Sequence, residues 1–163
     1  MANSNVYSQG QRVLCFNLHD TIILDQLPNL CVSQMVHTNH SQRALDIIEK
    51  KIIGSLNYPK SKFLLYEEGV LPLREGIFDF ILIQNQFYRD TRGELNTLLL
   101  GLSSMLRPDR YLMFTFYPNQ KSGLTEEYIL NKMDFYGFKM QERRKIGEEF
   151  ILFLRNKGNH IYT

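Results

Sequence analysis

Short apolar runs alternate along the chain with stretches in which apolar residues recur every three or four positions. The short runs are typical of strands buried on both faces of a sheet, and the spaced residues are typical of amphipathic helices. The runs predict five strands, at 12–16, 30–36, 62–66, 78–84 and 110–117. The spaced residues predict helices at 20–27, 44–52, 94–106 and 125–136, and Pro108 marks a turn between the third helix and the fifth strand.

Two further strand-like segments, 139–146 and 148–156, follow the last helix and meet around Gly147. A glycine between two strand patterns is typical of an antiparallel hairpin. Strands that alternate with helices and then end in a hairpin predict an open α/β fold. We therefore expect a mostly parallel, seven-stranded sheet with the first strand in its centre, helices on both faces and a C-terminal antiparallel hairpin.

Composition narrows the class of protein. The chain has 163 residues, of which 44% are apolar and 22% charged, with a net charge of +2. These values predict one domain and favour neither a nucleic-acid nor a membrane partner. We expect a short N-terminal segment over 1–11, the domain over 12–157 and a tail over 158–163. No signal peptide is evident and Cys15 and Cys31 lie in apolar stretches, so a cytoplasmic protein with reduced thiols is expected.

The turn after the first strand lacks the residue that a nucleotide-binding turn needs. Its sequence is Asn17-Leu18-His19-Asp20-Thr21, and no glycine occurs between Gly10 and Gly54. Close approach of a ligand to bare backbone requires glycine. The predicted fold thus carries a first turn filled with side chains.

Three segments, taken in order, resemble a known family. They are "EEGVLPLREGIFDFILIQNQF" at 67–87, "LLLGLSSMLRPDRYLMF" at 98–114 and "NKMDFYGFKM" at 131–140. Together they are similar to the class I S-adenosylmethionine-dependent methyltransferases, closest to the ubiquinone- and menaquinone-biosynthesis type, over 12–157. The resemblance implies a Rossmann-like methyltransferase fold. It also implies where a cofactor and a substrate would lie.

The implied cofactor site is degenerate. Asn17 and His19 stand in the family's glycine-rich turn, and Asn39 or His37 stands near the carboxylate that holds the ribose hydroxyls. An amide there lacks the strength of a charge-assisted hydrogen bond. Glu67 matches the acidic residue near the adenine, so one implied contact survives.

The implied substrate side follows the fourth strand, where the family transfers its methyl group. Gln84, Asn85 and Tyr88 lie there, and amide and phenol groups can orient an amine or a hydroxyl. A purely structural role, ending the strand and starting the next helix, explains the same residues.

Two other functional interpretations are possible for the first predicted strand and the residues that follow it. "CFNLHDTIILD" resembles the phosphatase motif of the haloacid dehalogenase superfamily, but Asn17 and His19 replace the two aspartates that this chemistry needs. His19, His37 and His40 follow neighbouring strands and could hold zinc, although no cysteine or carboxylate completes the set. Histidines of surface loops explain them equally, so we predict no metal.

These observations favour a degenerate methyltransferase-like protein that binds no cofactor and acts through a protein partner or a second copy. The alternative is an active small-molecule methyltransferase that binds S-adenosylmethionine in an altered site. A second chain is expected to cover the carboxyl edge of the sheet or the neighbouring helices. The apolar and aromatic residues around that edge are Leu18, Ile22, Phe87, Tyr88 and Tyr117.

Overall fold

A computed structural model of the chain describes residues 10–18, 32–53, 60–66, 77–84, 92–118, 121 and 123–158. Its described strands are β1 (Gln11–Phe16), β2 (Val32–Asn39), β3 (Lys60–Leu65), β4 (Phe78–Gln84), β5 (Leu106–Phe116), β6 (Phe138–Ile146) and β7 (Glu149–Asn156). Its described helices are α1 (Gln42–Ile53), α2 (Arg92–Met105) and α3 (Glu126–Phe135).

The seven strands form one sheet in the order β3-β2-β1-β4-β5-β7-β6. Strands β1 to β5 pair in parallel, and β7 pairs antiparallel with both β5 and β6. Strand β1 is central, and Val13, Leu14, Cys15 and Phe16 are all buried. The predicted mostly parallel sheet, its central first strand and its closing hairpin are confirmed.

Helices cover both faces of the sheet, as predicted. Leu95 and Leu99 of α2 and Ile129 of α3 pack with Leu14 and Ile81 on one face. On the other face, Ile48 and Ile52 of α1 pack with Val13, Cys15 and Phe80. We call these the α2–α3 face and the α1 face. Strand residues alternate between the two faces because successive side chains point in opposite directions.

Strand β2 extends further than its sequence predicts. His37, Thr38 and Asn39 are strand residues, paired with Cys15 and Phe16 on one side and with β3 on the other. The prediction that the segment "HTNHS" follows the strand as a loop is therefore wrong for its first three residues. Two neighbouring strands bury these polar side chains, which hydropathy alone assigns to solvent.

Strand β5 begins directly after α2, without the turn predicted around Pro108. It pairs with β4 at Leu106 and again from Tyr111, with a shift of register between Phe78 and Phe80. Pro108 has no N–H to donate, and it falls inside this irregular stretch. The residues 107–110 are thus an irregular part of a strand.

Among the aromatic residues of the C-terminal half, Phe114, Phe116 and Phe138 are buried. Phe135, at the end of α3, is 53% exposed. In the described part of the chain, no helix is long and apolar enough to cross a membrane.

Candidate functional site

Three side chains converge at the carboxyl edge of the sheet, each from the end of a different strand. Asn17 follows β1, His40 follows β2 and Tyr66 follows β3. The Tyr66 hydroxyl donates to Asn17 Oδ1 at 2.6 Å, and His40 Nδ1 lies 3.2 Å from the same oxygen. Ligands bind at this edge in open α/β sheets, so these residues occupy the place where a site is expected.

The backbone of Asn17 adopts the left-handed conformation, with φ 57°. Asparagine tolerates this conformation better than most residues other than glycine. The Asn17 N–H donates to the Thr38 carbonyl at 2.9 Å, which ties this turn to β2. The first turn therefore keeps a glycine-like backbone at its first residue, while its side chain projects into the polar cluster.

The ring of Tyr66 lies against the end of β1. Its centroid is 5.1 Å from that of Phe16, and it packs on the α2–α3 face. The Tyr66 N–H also donates to the Asn39 carbonyl at 3.1 Å. The aromatic ring and its hydroxyl thus fasten the ends of β1, β2 and β3 to one another.

Asn39 is 5% exposed, and both ends of its side-chain amide are engaged. Its Nδ2 donates to the Leu18 carbonyl at 2.9 Å, and its Oδ1 accepts from the Ser41 N–H at 3.0 Å. The Ser41 hydroxyl in turn accepts from the Ala44 N–H at 3.2 Å, which caps α1. Asn39 therefore joins the turn after β1 to the start of α1.

The contact with Asn17 favours one tautomer of neutral His40. With Asn17 Oδ1 as the acceptor, the tautomer that carries its hydrogen on Nδ1 satisfies this contact and keeps the lone pair on Nε2. The ring is exposed and makes an edge contact with Tyr66, with centroids 6.0 Å apart. In this tautomer His40 Nε2 is a hydrogen-bond acceptor on the accessible side of the cluster.

His37 does not join this cluster. Its ring is 2% exposed on the α1 face, where it stacks on Phe63 with centroids 5.1 Å apart. Neither ring nitrogen has a hydrogen-bond partner among the described residues. Burial lowers the pKa of His37 from 6.5 to about 4, because the charged form loses its hydration. The interpretation of His37 as a surface-loop histidine is therefore wrong.

The zinc hypothesis finds no support in the described part of the chain, which contains no group of three potential metal ligands. Within it, His37 faces the buried α1 side, whereas His40 contacts Asn17 at the edge. Cys15 is a free, buried thiol that pairs in register with His37, and burial raises its pKa. His19, the third predicted ligand, lies outside the described residues.

Gln84 is the one residue of the predicted substrate group that the structure describes. It ends β4, is 7% exposed and lies in register with Thr115 of β5. The Thr115 hydroxyl is buried, with no hydrogen-bond partner in the described chain. The two polar side chains thus lie side by side at the carboxyl end of β4 and β5. Strand β4 also pairs with β1, where Ile83 lies in register with Phe16, so Gln84 and Asn17 follow partners of adjacent strands.

Several predicted residues fall outside the described ranges. They are His19 and Glu67 of the cofactor group, Asn85 and Tyr88 of the substrate group, and Ile22 and Phe87 of the expected interface. Of the remaining interface residues, Leu18 is 2% exposed and so contributes little to any contact surface. Tyr117 is 38% exposed and donates to Glu149 Oε2 at 3.3 Å.

Sequence reasoning missed the partners of Asp79, at the opposite end of the sheet. Its side chain is 6% exposed and accepts from the Arg12 N–H and from Arg107, each at 3.0 Å. Arg110 lies 3.7 Å from the same carboxylate. Asp79 thus ties β1, β4 and β5 together at their amino ends. The signal for this role was an aspartate in an otherwise apolar strand.

The fold is that of known methyltransferase-like structures. A SAM-dependent methyltransferase from Aquifex aeolicus is 16% identical, with a TM-score of 0.68 over 94% of this chain and 88% of that one. The [4+2]-cyclase SpnF is 11% identical, with a TM-score of 0.73 over 97% and 81%. A third neighbour, in a complex between the Haloferax volcanii Trm112 methyltransferase activator and the putative methyltransferase, is 10% identical, with a TM-score of 0.67 over 93% and 84%.

The sequence itself matches no protein-family model and no curated protein. At such low identities the structural likeness shows the fold alone. The chain therefore has the Rossmann-like methyltransferase fold, and its chemistry must be argued from its own residues.

Proposed function

We propose that this chain is a degenerate methyltransferase-like protein, whose own side chains fill the place of a cofactor, and that it acts as a structural or regulatory interaction subunit. On this proposal it does not bind S-adenosylmethionine in the manner of the family.

The observation that carries the proposal is the engagement of Asn39. Its Nδ2 and Oδ1 are bonded to Leu18 and Ser41, and the side chain is buried. A ribose that replaced these partners would leave the Leu18 carbonyl and the Ser41 N–H unpaired. Leaving a buried polar group unpaired costs about 1–3 kcal/mol. An amide also makes a weaker hydrogen bond to a ribose hydroxyl than a carboxylate does.

The cluster of Asn17, Tyr66 and His40 supports the same conclusion. Tyr66 and His40 both meet Asn17 Oδ1, in the turn that the resemblance assigns to the methionine part of the cofactor. A ligand lying close to this backbone would have to displace the Asn17 side chain and its 2.6 Å hydrogen bond. We infer that these costs together lower cofactor affinity by about two or more decades.

Proteins with different activities share the fold of this chain. One structural neighbour is a [4+2]-cyclase, and another is a putative methyltransferase in a complex with a protein activator. These facts belong to those proteins, but because of the cyclase the fold alone is no argument for methyl transfer. A protein partner for this chain, or a second copy of it, is part of the proposal.

An active small-molecule methyltransferase is the alternative. The left-handed backbone of Asn17 keeps the conformation that a glycine-rich turn would use. Gln84 also remains at the carboxyl end of β4, where the resemblance places the substrate. This alternative uses Glu67 for the adenine and Asn85 or Tyr88 near the methyl acceptor.

Calorimetric titration of the full chain with S-adenosylmethionine and S-adenosylhomocysteine tests the proposal. We expect no heat of binding, or a Kd in the high-micromolar range or weaker. Low-micromolar binding of either compound would overturn the proposal and favour the active enzyme.

A further inference from the structure

The two edge strands of the sheet, β3 and β6, differ in how they are protected. An edge strand presents unpaired N–H and C=O groups that can accept another strand. Natural proteins block such edges with bulges and with charged side chains. The two edges can therefore be compared for the devices that each one carries.

Strand β6 carries several such devices. Its register shifts between Met140 and Glu142, which inserts an extra residue into the edge. Two of its cations are held within the chain, since Arg143 pairs with Glu126 and Arg144 pairs with Glu142. Lys139 and Lys145 make no ion pair with any described residue, so it is the irregular backbone that makes β6 a poor acceptor for an added strand.

Strand β3 is regular, and its lysines are unpaired within the described part of the chain. It pairs with β2 without a break of register from Lys60 to Leu65. Lys60 and Lys62 are exposed, and neither makes an ion pair with any described residue. Leu64 is 38% and Leu65 55% exposed. This edge therefore combines free positive charge with exposed apolar surface.

The side chains of β3 divide between the two faces of the sheet. Lys62 lies in register with Val36, which packs on the α2–α3 face. Lys60 and Leu64, each two residues from Lys62, point to the same face. Phe63 packs on the α1 face, and Leu65, two residues further along the strand, points to the same face. One side of the edge thus carries Lys60, Lys62 and Leu64, and the other carries Ser61, Phe63 and Leu65.

These observations decide what kind of strand fits. Two copies of β3 laid edge to edge would bring lysines together, and like charges on paired strands are destabilising. We propose that β3 is a docking edge for an extended segment of a different protein, in which acidic residues alternate with apolar ones. The acidic residues face Lys60 and Lys62, and the apolar ones lie beside Phe63 and Leu65. This inference rests on the proposed function, because it names the partner class of the interaction subunit.

A synthetic peptide of eight residues, alternating glutamate and valine, tests the docking edge on the full chain. Fluorescence anisotropy measures its binding, and hydrogen exchange locates it. We expect saturable binding and slower amide exchange over 60–65. The double variant Lys60→Glu/Lys62→Glu should bind this peptide at least tenfold more weakly. A peptide of alternating lysine and valine should bind the wild-type chain no more tightly than the double variant binds the glutamate–valine peptide.

The matched control reverses charge on the other edge, with Lys139→Glu/Lys145→Glu in β6. Binding of the glutamate–valine peptide should change less than twofold. An absence of binding, protection outside 60–65, or equal losses from both double variants would overturn the docking edge. The titration with S-adenosylmethionine is read separately, so tight cofactor binding would overturn the proposed function without altering the result at β3.

Discussion

The parallel strands are tied together at both ends, but with different chemistry. At the amino end, the Asp79 carboxylate gathers the Arg12 N–H, Arg107 and Arg110. At the carboxyl end, the amides of Asn17 and Asn39 and the Tyr66 phenol make the corresponding contacts. The first arrangement uses opposite charges, and the second uses neutral hydrogen bonds.

The two ends also differ in whether ligands bind there in open α/β sheets. In open α/β sheets the amino end binds no ligand, so a charged cluster there serves stability. The carboxyl end is where ligands bind, and its polar groups here are directed at each other. We infer that the contacts within the carboxyl end replace those that a ligand would make.

Asp79→Asn should have the largest effect on stability at neutral pH. The change removes the charge of a buried carboxylate whose partners Arg107 and Arg110 are 46% and 24% exposed, and we expect the free energy of unfolding to fall by about 2–3 kcal/mol. Urea denaturation measures it. Asp109→Asn is the matched control, because Asp109 is 66% exposed in its pair with Arg155, and it should cost below about 1 kcal/mol. Equal losses would show that the amino end is not held by its buried charge.

Acid should weaken the fold through His37, near the carboxyl end. The unfolded chain binds a proton at His37 below pH 6.5, whereas the folded chain resists it down to about pH 4. Between these values the unfolded state holds more protons, so stability falls as the pH falls. We expect His37 to contribute a loss of roughly 3 kcal/mol across this window.

His37→Phe is the control for this pH dependence. Phenylalanine keeps the stacking on Phe63 and has no ring nitrogens to leave unpaired. The stability of the variant should lose most of its slope between pH 6.5 and 4, the window set by the lowered pKa of His37. Denaturation series at several pH values measure the slope, and an unchanged slope would contradict the assignment.

Tyr66→Phe should have a smaller effect. It removes the hydroxyl that donates to Asn17 Oδ1 but keeps the ring against Phe16. Loss of one hydrogen bond should lower the free energy of unfolding by about 1 kcal/mol. Tyr111→Phe is the control, since Tyr111 is 40% exposed and makes no hydrogen bond through its hydroxyl with the described residues. A loss from Tyr66→Phe no larger than the control's would show that this contact does not hold the strand ends together.

Most of the fold could be predicted from the sequence because its signals are local and consistent. The alternation of strand and helix patterns indicated the parallel sheet, and Gly147 marked the hairpin, where its φ is 63°. The predictions failed where tertiary pairing overrode hydropathy. His37 and Thr38 are polar, yet β1 and β3 bury them. Pro108 suggested a turn, but a break of register accommodates it within β5.

The candidate site was harder to predict because its contacts join distant parts of the chain. The resemblance selected Asn17 and Asn39, but the sequence contains no sign that Tyr66 would meet Asn17, 49 residues away. The partners of Asn39 are likewise a backbone carbonyl and a backbone N–H, which no motif records. The order of the strands in the sheet brings these groups together, so their hydrogen bonds can be recognised only in the folded structure.

The central claim is that the chain's own side chains occupy the carboxyl edge in place of a cofactor. The most direct measurement compares S-adenosylmethionine binding by the wild-type chain and by Asn17→Gly/Asn39→Asp, using calorimetry. Glycine suits the left-handed backbone at 17, and a carboxylate at 39 would be repelled by the Leu18 carbonyl that the amide now contacts. We predict little or no binding by the wild type and at least tenfold tighter binding by the variant. Low-micromolar binding by the wild type, with no gain in the variant, would contradict the claim.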